Sequence, residues 1–122
     1  MTNESAAIGQ IFSFSRNLVL AASAGTGKTH ALVGVVVHLL LGATSSKKSV
    51  EPSRIVATTF SRKAAAEMRE RLTTELEKLA LGDPRAAYEA SLLQATSITR
   101  EALRTRARHV LARAHEVSIG TL

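Results

Sequence analysis

The 122-residue chain contains no cysteine and no tryptophan, and aromatic residues make up only 3% of it. Without cysteine, the chain has neither disulfides nor thiolate metal sites, and a reducing compartment is permitted. Apolar residues still account for 45%, so the core has to be built from Ala, Val, Leu and Ile. Such a core suits helices packed on a buried parallel sheet, and the length suits one domain of modest size.

Long apolar runs and targeting features are also missing. The longest apolar stretch, Ala31–Leu41, is interrupted by Gly34 and His38 and falls short of the roughly 20 residues that cross a bilayer. The segment Met1–Gln10 lacks the basic start and apolar run of a signal peptide. We therefore expect a cytoplasmic protein without a membrane contact. The net charge of +6 favours anionic partners such as nucleic acid, or serves solubility, and composition does not choose between these.

Two short apolar runs, each followed by a helical pattern, dominate the chain. Continuous apolar runs of this length are typical of strands buried on both faces, so the order predicts an α/β fold with a parallel sheet flanked by helices. The predicted elements are strand Asn17–Ala22, helix Lys28–Leu41, strand Arg54–Thr59, helices Arg62–Leu81, Pro84–Ala95 and Thr99–Ala114, and a third strand that begins at Val117.

The segment between the first strand and the first helix has the features of a phosphate-binding loop. Gly25 and Gly27 lack a Cβ, which lets successive N–H groups point inward, and the following helix presents its positive end. Lys28 supplies a cation for the β- and γ-phosphates, and the Thr29 hydroxyl suits Mg²⁺. We predict that ATP and Mg²⁺ bind here, with Lys28 and Thr29 as the catalytic residues. The residues of this loop are Ala22, Ser23, Ala24, Gly25, Thr26, Gly27, Lys28 and Thr29.

One position departs from the general pattern G-x-x-x-x-G-K-[ST]. Ala22 stands where that pattern has its first glycine. The alternative interpretation is an ordinary glycine-rich turn between a strand and a helix. The buried-strand pattern before the loop and the helical pattern after it favour phosphate binding, because the motif requires both.

Three segments resemble motifs of superfamily-1 DNA helicases of the UvrD/Rep/RecB group. Residues 22–29, with alanine first, resemble motif I. Ala57–Leu72 resembles motif Ia, which commonly reads Thr-Phe-Thr-Asn-Lys-Ala-Ala-x-Glu-Met-x-x-Arg-Leu, with Ser61 and Arg62 in place of the Thr-Asn pair. Val117–Leu122 resembles the start of motif Ib. The resemblance implies a RecA-like P-loop sheet, incomplete in this chain.

In the family, motif Ia lies along single-stranded DNA. The resemblance implies that Thr59, Phe60 and Arg62 face DNA, together with Thr121 of the segment that resembles motif Ib. An aromatic side chain at a strand end can stack on a base of any sequence, for about 1–3 kcal/mol. For Phe60 the alternative is packing in the core. The resemblance also suggests that Gln10 reads adenine, as an upstream glutamine does in the family, and the alternative is an exposed polar residue.

The stretch between the second motif and the third is long. Residues 73–116 are expected to form a helical insert, which looks more like the helicase-nuclease branch, RecB or AddA. This likeness suggests two kinds of partner, which are single- and double-stranded DNA and a second helicase-nuclease subunit. Arg100, Arg104 and Arg108 share one helix face. That face is either a DNA-facing patch or a solvated surface.

ATP hydrolysis requires groups that this sequence does not contain. The family takes carboxylates from an Asp-Glu pair at a strand end and an arginine from a second domain, and no such pair occurs here. We therefore expect residues 1–122 to be a partial N-terminal ATP-binding domain, inactive by itself, of a DNA helicase that acts in recombination and repair. Two alternatives remain: a small or decayed P-loop protein without motor activity, and a P-loop kinase or transferase, which motif Ia disfavours.

Overall fold

The computed structural model describes residues 18–21 and 26–121, with side chains described from Ala31 onward. Turns of 3-10 helix at Pro52–Arg54 and Ala114–Glu116 precede the second and third strands. In chain order the elements are β1 (Leu18–Ala21), α1 (Thr26–Leu40), β2 (Ile55–Thr59), α2 (Arg62–Leu81), α3 (Glu89–Thr96), α4 (Arg100–Ala112) and β3 (Ser118–Thr121).

The three strands form one parallel sheet with β2 in the centre. Ala21 is the register partner of Thr58, and Thr58 is the partner of Gly120, so these residues form one row across the sheet. Because parallel strands run the same way, their carboxyl ends meet at one end of the sheet. The segments that follow β1 and β2 therefore begin beside each other.

One face of the sheet belongs to the core. Side chains alternate across a strand, and Ile55, Ala57 and Thr59 are buried whereas Val56 and Thr58 are half-buried. Ile119 of β3, the partner of Ala57, is buried on the same face. The predicted α/β fold with a parallel sheet and flanking helices is confirmed for the described residues, while residues 22–25 of the predicted phosphate loop lie outside them.

Helix α2 has the predicted bounds because its sequence marks both ends. The Ser61 hydroxyl accepts a hydrogen bond from the Ala64 N–H at 3.1 Å, which satisfies a free donor of the first turn. Gly82 adopts φ 69°, and the N–H groups of Gly82 and Asp83 donate to the carbonyls of Leu79 and Lys78. This left-handed ending suits glycine, which has no Cβ to collide with the backbone.

The other helices depart from prediction at their ends. Helix α1 begins at Thr26, two residues before the predicted start, and α4 ends at Ala112 rather than at Ala114. The helix predicted from Pro84 begins only at Glu89, because the preceding backbone is committed to turns. The Asp83 carboxylate accepts from the Arg85 N–H at 2.8 Å, and a carboxylate oxygen of Glu75 accepts from the Ala87 N–H at 3.1 Å.

Candidate nucleotide and DNA site

The predicted phosphate loop lies at the carboxyl end of β1. Four residues separate Ala21, the last residue of β1, from Thr26, the first residue of α1. Thr26, Gly27, Lys28 and Thr29 form the first turn of α1 in the described backbone. This arrangement of strand, short connection and helix N-terminus fits an anion such as a nucleotide phosphate, because free N–H groups point away from the helix start.

Part of the predicted nucleotide site falls outside the described residues. Ala22, Ser23, Ala24, Gly25 and Gln10 belong to that part, so their assignments stay predictions. For Thr26 to Thr29 the backbone is described and the side chains are not. The assignment of Lys28 to the phosphates and of Thr29 to Mg²⁺ therefore stays a prediction too.

The predicted DNA-facing residues lie where β2 and β3 end. Phe60 directly follows β2 and is 61% exposed, which argues against the alternative that it packs in the core. Ser61, Arg62 and Thr121 are exposed as well. Thr121 is the register partner of Thr59, the residue before Phe60, so the backbones of the two strand ends lie side by side. Phe60, Ser61, Arg62 and Thr121 are called the rim below.

Thr59 differs from its neighbours because it is only 2% exposed. Its hydroxyl donates to the Ser61 carbonyl at 3.0 Å and lies 3.4 Å from the Gly120 carbonyl. The side chain thus joins the end of β2 to the start of α2 and to the end of β3. In this position Thr59 supports the rim from inside the protein.

The predicted phosphate loop follows β1 at the same end of the sheet as the rim. Neighbouring strands of a sheet are about 4.8 Å apart, and β1, β2 and β3 are consecutive in the sheet. The backbone of β1 therefore ends about 10 Å from that of β3. A nucleotide at the loop and a strand of DNA at the rim would lie next to each other.

Arg69 makes a contact at this end that the sequence did not reveal. Its Nη2 donates to the Ile119 carbonyl of β3 at 2.5 Å. The residue lies on α2 at one of the variable positions of the motif Ia pattern, and its partner lies 50 positions away. A groove of about 820 Å³ runs beside this contact, lined among others by Arg69, Thr73, His115 and Ser118.

The arginines of α4 differ in their contacts. Arg100 pairs with Glu89 at 2.9 Å, and Arg106 donates to the Leu41 carbonyl at 3.0 Å, just beyond α1. The Arg104 guanidinium lies so close to Gly82 that a Cβ at that glycine would collide with it. Arg108 is exposed. On the predicted face, Arg100 and Arg108 are exposed and Arg104 lies against Gly82, so the choice between a DNA-facing patch and a solvated surface stays a prediction.

Helix α3 contacts α1, the helix that follows the phosphate loop. One ring nitrogen of His38 is 2.7 Å from the Gly34 carbonyl and the other is 2.8 Å from the Ser91 hydroxyl. The Tyr88 ring packs edge-on against His38 with ring centroids 5.9 Å apart. Burial, and to a smaller extent the nearby Glu75 carboxylate, raises the pKa of the Tyr88 hydroxyl. The helical segment after α2 is therefore attached to the helix that follows the predicted phosphate loop.

The described part of the chain contains neither a membrane-spanning helix nor a metal cluster. Among residues 26–121, no helix combines the length and the apolar character that a membrane span requires. In the same part of the chain, no three His, Asp or Glu side chains gather closely enough to hold a metal ion. The side chain of Thr29, the predicted Mg²⁺ ligand, lies outside this description.

Known proteins resemble the chain over most of its length. The family model described as UvrD/REP helicase N-terminal domain matches residues 2–121. An ATP-dependent helicase/nuclease subunit from Alkaliphilus oremlandii is 39% identical over 87 residues, which are 68% of this chain and 7% of the relative. Proteins of the same name from Desulforamulus reducens and Anoxybacillus flavithermus are 38% and 33% identical over 68% and 73% of the chain, again covering 7% of each relative.

The chain spans about 7% of the length of these curated relatives. No solved structure matches it. The family match covers nearly the whole chain, and the relatives carry the name that the motif Ia segment and the long helical stretch suggested. The chain belongs to the family of the UvrD/REP helicase N-terminal domain.

Proposed function

We propose that this chain is the N-terminal ATP-binding part of an ATP-dependent DNA helicase or translocase that works in recombination and repair. One observation carries the proposal: β1 and β2 are parallel neighbours, so the phosphate loop and the exposed rim start at the same end of one sheet. ATP turnover at the loop can then act on DNA at the rim through a single rigid element.

For ATP, we propose that the backbone of residues 22–27 and the Lys28 side chain bind the phosphates, and that Thr29 binds Mg²⁺. The N–H groups of the first turn of α1 and the helix dipole stabilise the negative charge. Bound Mg²⁺ neutralises charge on the β- and γ-phosphates. Gln10 is assigned to the adenine edge, as the resemblance implies.

For DNA, we propose that Phe60 stacks on a base and that Arg62 and Thr121 contact phosphates. Phe60 has the exposure that stacking requires, and stacking is tolerant of sequence because every base has a π face. Thr59 holds the Phe60 backbone in place through its bonds to Ser61 and Gly120. The contacts are thus suited to single-stranded DNA of any sequence.

The relatives are named as ATP-dependent helicase/nuclease subunits, and we assign the same kind of activity to the whole protein here. A second helicase-nuclease subunit is the proposed partner, with single- and double-stranded DNA as substrates. Residues 73–116, which contain the last nine residues of α2 together with α3 and α4, are the proposed helical insert of the ATP-binding domain.

The test is DNA-stimulated ATPase activity of the intact protein. Lys28→Ala removes the cation at the β- and γ-phosphates, and we expect the turnover rate to fall at least about 100-fold. Phe60→Ala should leave the turnover rate at saturating DNA similar and raise the half-saturating oligonucleotide concentration about 5- to 100-fold, in line with the loss of one stacked base.

Lys48→Ala is the matched control. It removes the same charge and side chain as Lys28→Ala, but it lies in the exposed loop after α1, near the opposite end of the sheet, and should behave like the wild type. If Lys28→Ala turns over ATP at the wild-type rate, the loop has another role. ATP binding without any DNA-stimulated turnover in the intact protein would favour a P-loop protein without motor activity.

A further inference from the structure

Two consecutive carbonyls of β3 accept hydrogen bonds from side chains of neighbouring elements, Arg69 and Thr59. The Arg69 guanidinium on α2 donates to the Ile119 carbonyl at 2.5 Å, and the Thr59 hydroxyl on β2 lies 3.4 Å from the Gly120 carbonyl. The next residue is Thr121 of the rim. Together with the backbone pairing of β3 to β2, these two contacts hold the exposed end of β3 relative to Phe60.

We propose that Arg69 is a positioning residue for DNA binding: by holding the Ile119 carbonyl, it sets the spacing between Thr121 on β3 and Phe60 on β2. The inference rests on the function proposed above and adds a residue that the motif pattern leaves variable. Arg69 acts through β3 and does not itself need to touch DNA.

Two features make this role specific to Arg69. First, Arg69 lies two turns into α2, and its side chain spans from that helix to a carbonyl of β3, so it connects the two elements beside the rim. Second, β3 is short, with four residues, and Ser118 and Thr121 are exposed. The strand is held by its pairing with β2 and by the buried Ile119 side chain, and the charged hydrogen bond from Arg69 adds a third constraint on its placement.

The test compares two substitutions in the intact protein with the Lys48→Gln control. Arg69→Met keeps much of the side-chain length and removes the donors. We expect it to raise the half-saturating oligonucleotide concentration in the ATPase assay about 3- to 10-fold, with the turnover rate at saturating DNA unchanged. Arg69→Lys keeps one donor for Ile119 and should stay within about twofold of the wild type. Lys48→Gln should match the wild type.

Salt dependence separates positioning from direct contact. A residue that binds a DNA phosphate contributes about one unit to the slope of log affinity against log salt concentration. We expect Arg69→Met to weaken binding by the same factor at every salt concentration, with the wild-type slope. A slope lower by about one unit would show that Arg69 contacts phosphate and would overturn the positioning role.

The other possible results separate failure of this inference from failure of the proposed function. Wild-type affinity in Arg69→Met, together with weakened binding in Phe60→Ala, would overturn the inference and leave the proposed function standing. An equal loss in Arg69→Met and Arg69→Lys would also overturn it, because the hydrogen bond would then not matter. If Phe60→Ala binds DNA like the wild type, the proposed function of the rim fails, and the inference fails with it.

Discussion

Helices α1 and α2 follow neighbouring parallel strands at the same end of the sheet, yet they lie in different surroundings. From Leu32 to Leu40, α1 buries almost every side chain, and only Val35 and His38 are partly exposed. Helix α2 buries a single stripe and exposes the rest of its surface. The stripe consists of Ala65, Met68, Leu72, Leu76, Leu79 and Ala80.

The difference in burial fits the role proposed for each helix. Helix α1 carries the predicted phosphate loop at its N-terminus, and burial on most sides fixes the direction of the helix and of its N–H groups. Helix α2 starts at the rim, where Arg62 and Lys63 are exposed and available to a polyanion. The helix that follows the predicted phosphate loop is therefore anchored in the core, whereas the predicted DNA-facing rim lies on the surface.

The two helices share the way they end. Gly42 and Gly82 both have positive φ, 84° and 69°, and each helix closes with bonds to carbonyls three and five residues earlier. An arginine of α4 approaches each ending, Arg106 at Gly42 and Arg104 at Gly82. Positive side chains are favourable near the negative end of a helix dipole, so α4 stabilises both helices.

The largest expected effect tests the burial of α1. Leu40→Ala removes a side chain with 0% exposure and leaves a cavity, so we expect the free energy of unfolding to fall by about 2–5 kcal/mol. Urea denaturation followed by circular dichroism measures it. Glu77→Ala on the exposed side of α2 is the control and should stay within about 0.5 kcal/mol of the wild type. Equal losses of unfolding free energy in both variants would contradict the difference in burial between α1 and α2.

A smaller effect tests whether the start of α2 has a role beyond stability. The hydroxyls of Ser61 and Thr99 cap α2 and α4 with the same geometry, each accepting an N–H at 3.1 Å. Ser61→Ala and Thr99→Ala should therefore each lower the free energy of unfolding by about 1 kcal/mol. Only Ser61→Ala should also weaken oligonucleotide binding, because Ser61 adjoins Phe60. Equal binding by the two variants would contradict the assignment of the rim.

The smallest effect concerns the end of α2. Hydrogen bonds from the Arg85 side chain and backbone lower the pKa of Asp83 from its ordinary 3.8 to about 2. Because the folded-state pKa is the lower one, ionised Asp83 stabilises the fold above about pH 4, and this stabilisation is lost as pH falls through about 2. The stabilisation is small because the pair lies on the surface.

Acid denaturation of Asp83→Asn tests whether protonation of Asp83 destabilises the fold. The variant lacks the ionisable carboxyl, so its stability should fall less than that of the wild type between about pH 4 and pH 2. A parallel fall in the two proteins would mean that the bonds from Arg85 do not persist in solution.

Sequence patterns predicted α2 and the parallel sheet well because their signals are local. Ser61, the apolar stripe and Gly82 mark the start, the buried face and the end of α2 within 22 consecutive residues. The prediction of a helix from Pro84 was wrong about its start, because Glu75, twelve residues before Ala87, takes the Ala87 N–H. A local pattern contains no information about such a partner.

The candidate site also combines residues that the sequence predicted with contacts that only the structure shows. The resemblance to helicase motifs predicted the phosphate loop and Phe60 as site residues, and the exposure of Phe60 argues against packing in the core, an alternative that the sequence left open. The bond from Arg69 to Ile119 joins residues 50 positions apart and has no signature in either segment.

By itself, the amino-acid sequence determined the family, the α/β class and the order of strands and helices, since these depend on short-range patterns of apolar residues, glycine and caps. Only the tertiary structure decided that Thr59 is buried while Phe60 is exposed, and that Arg69 donates to the Ile119 carbonyl of β3. These features depend on which segments meet when the strands pair, and pairing brings together residues that are remote in the chain.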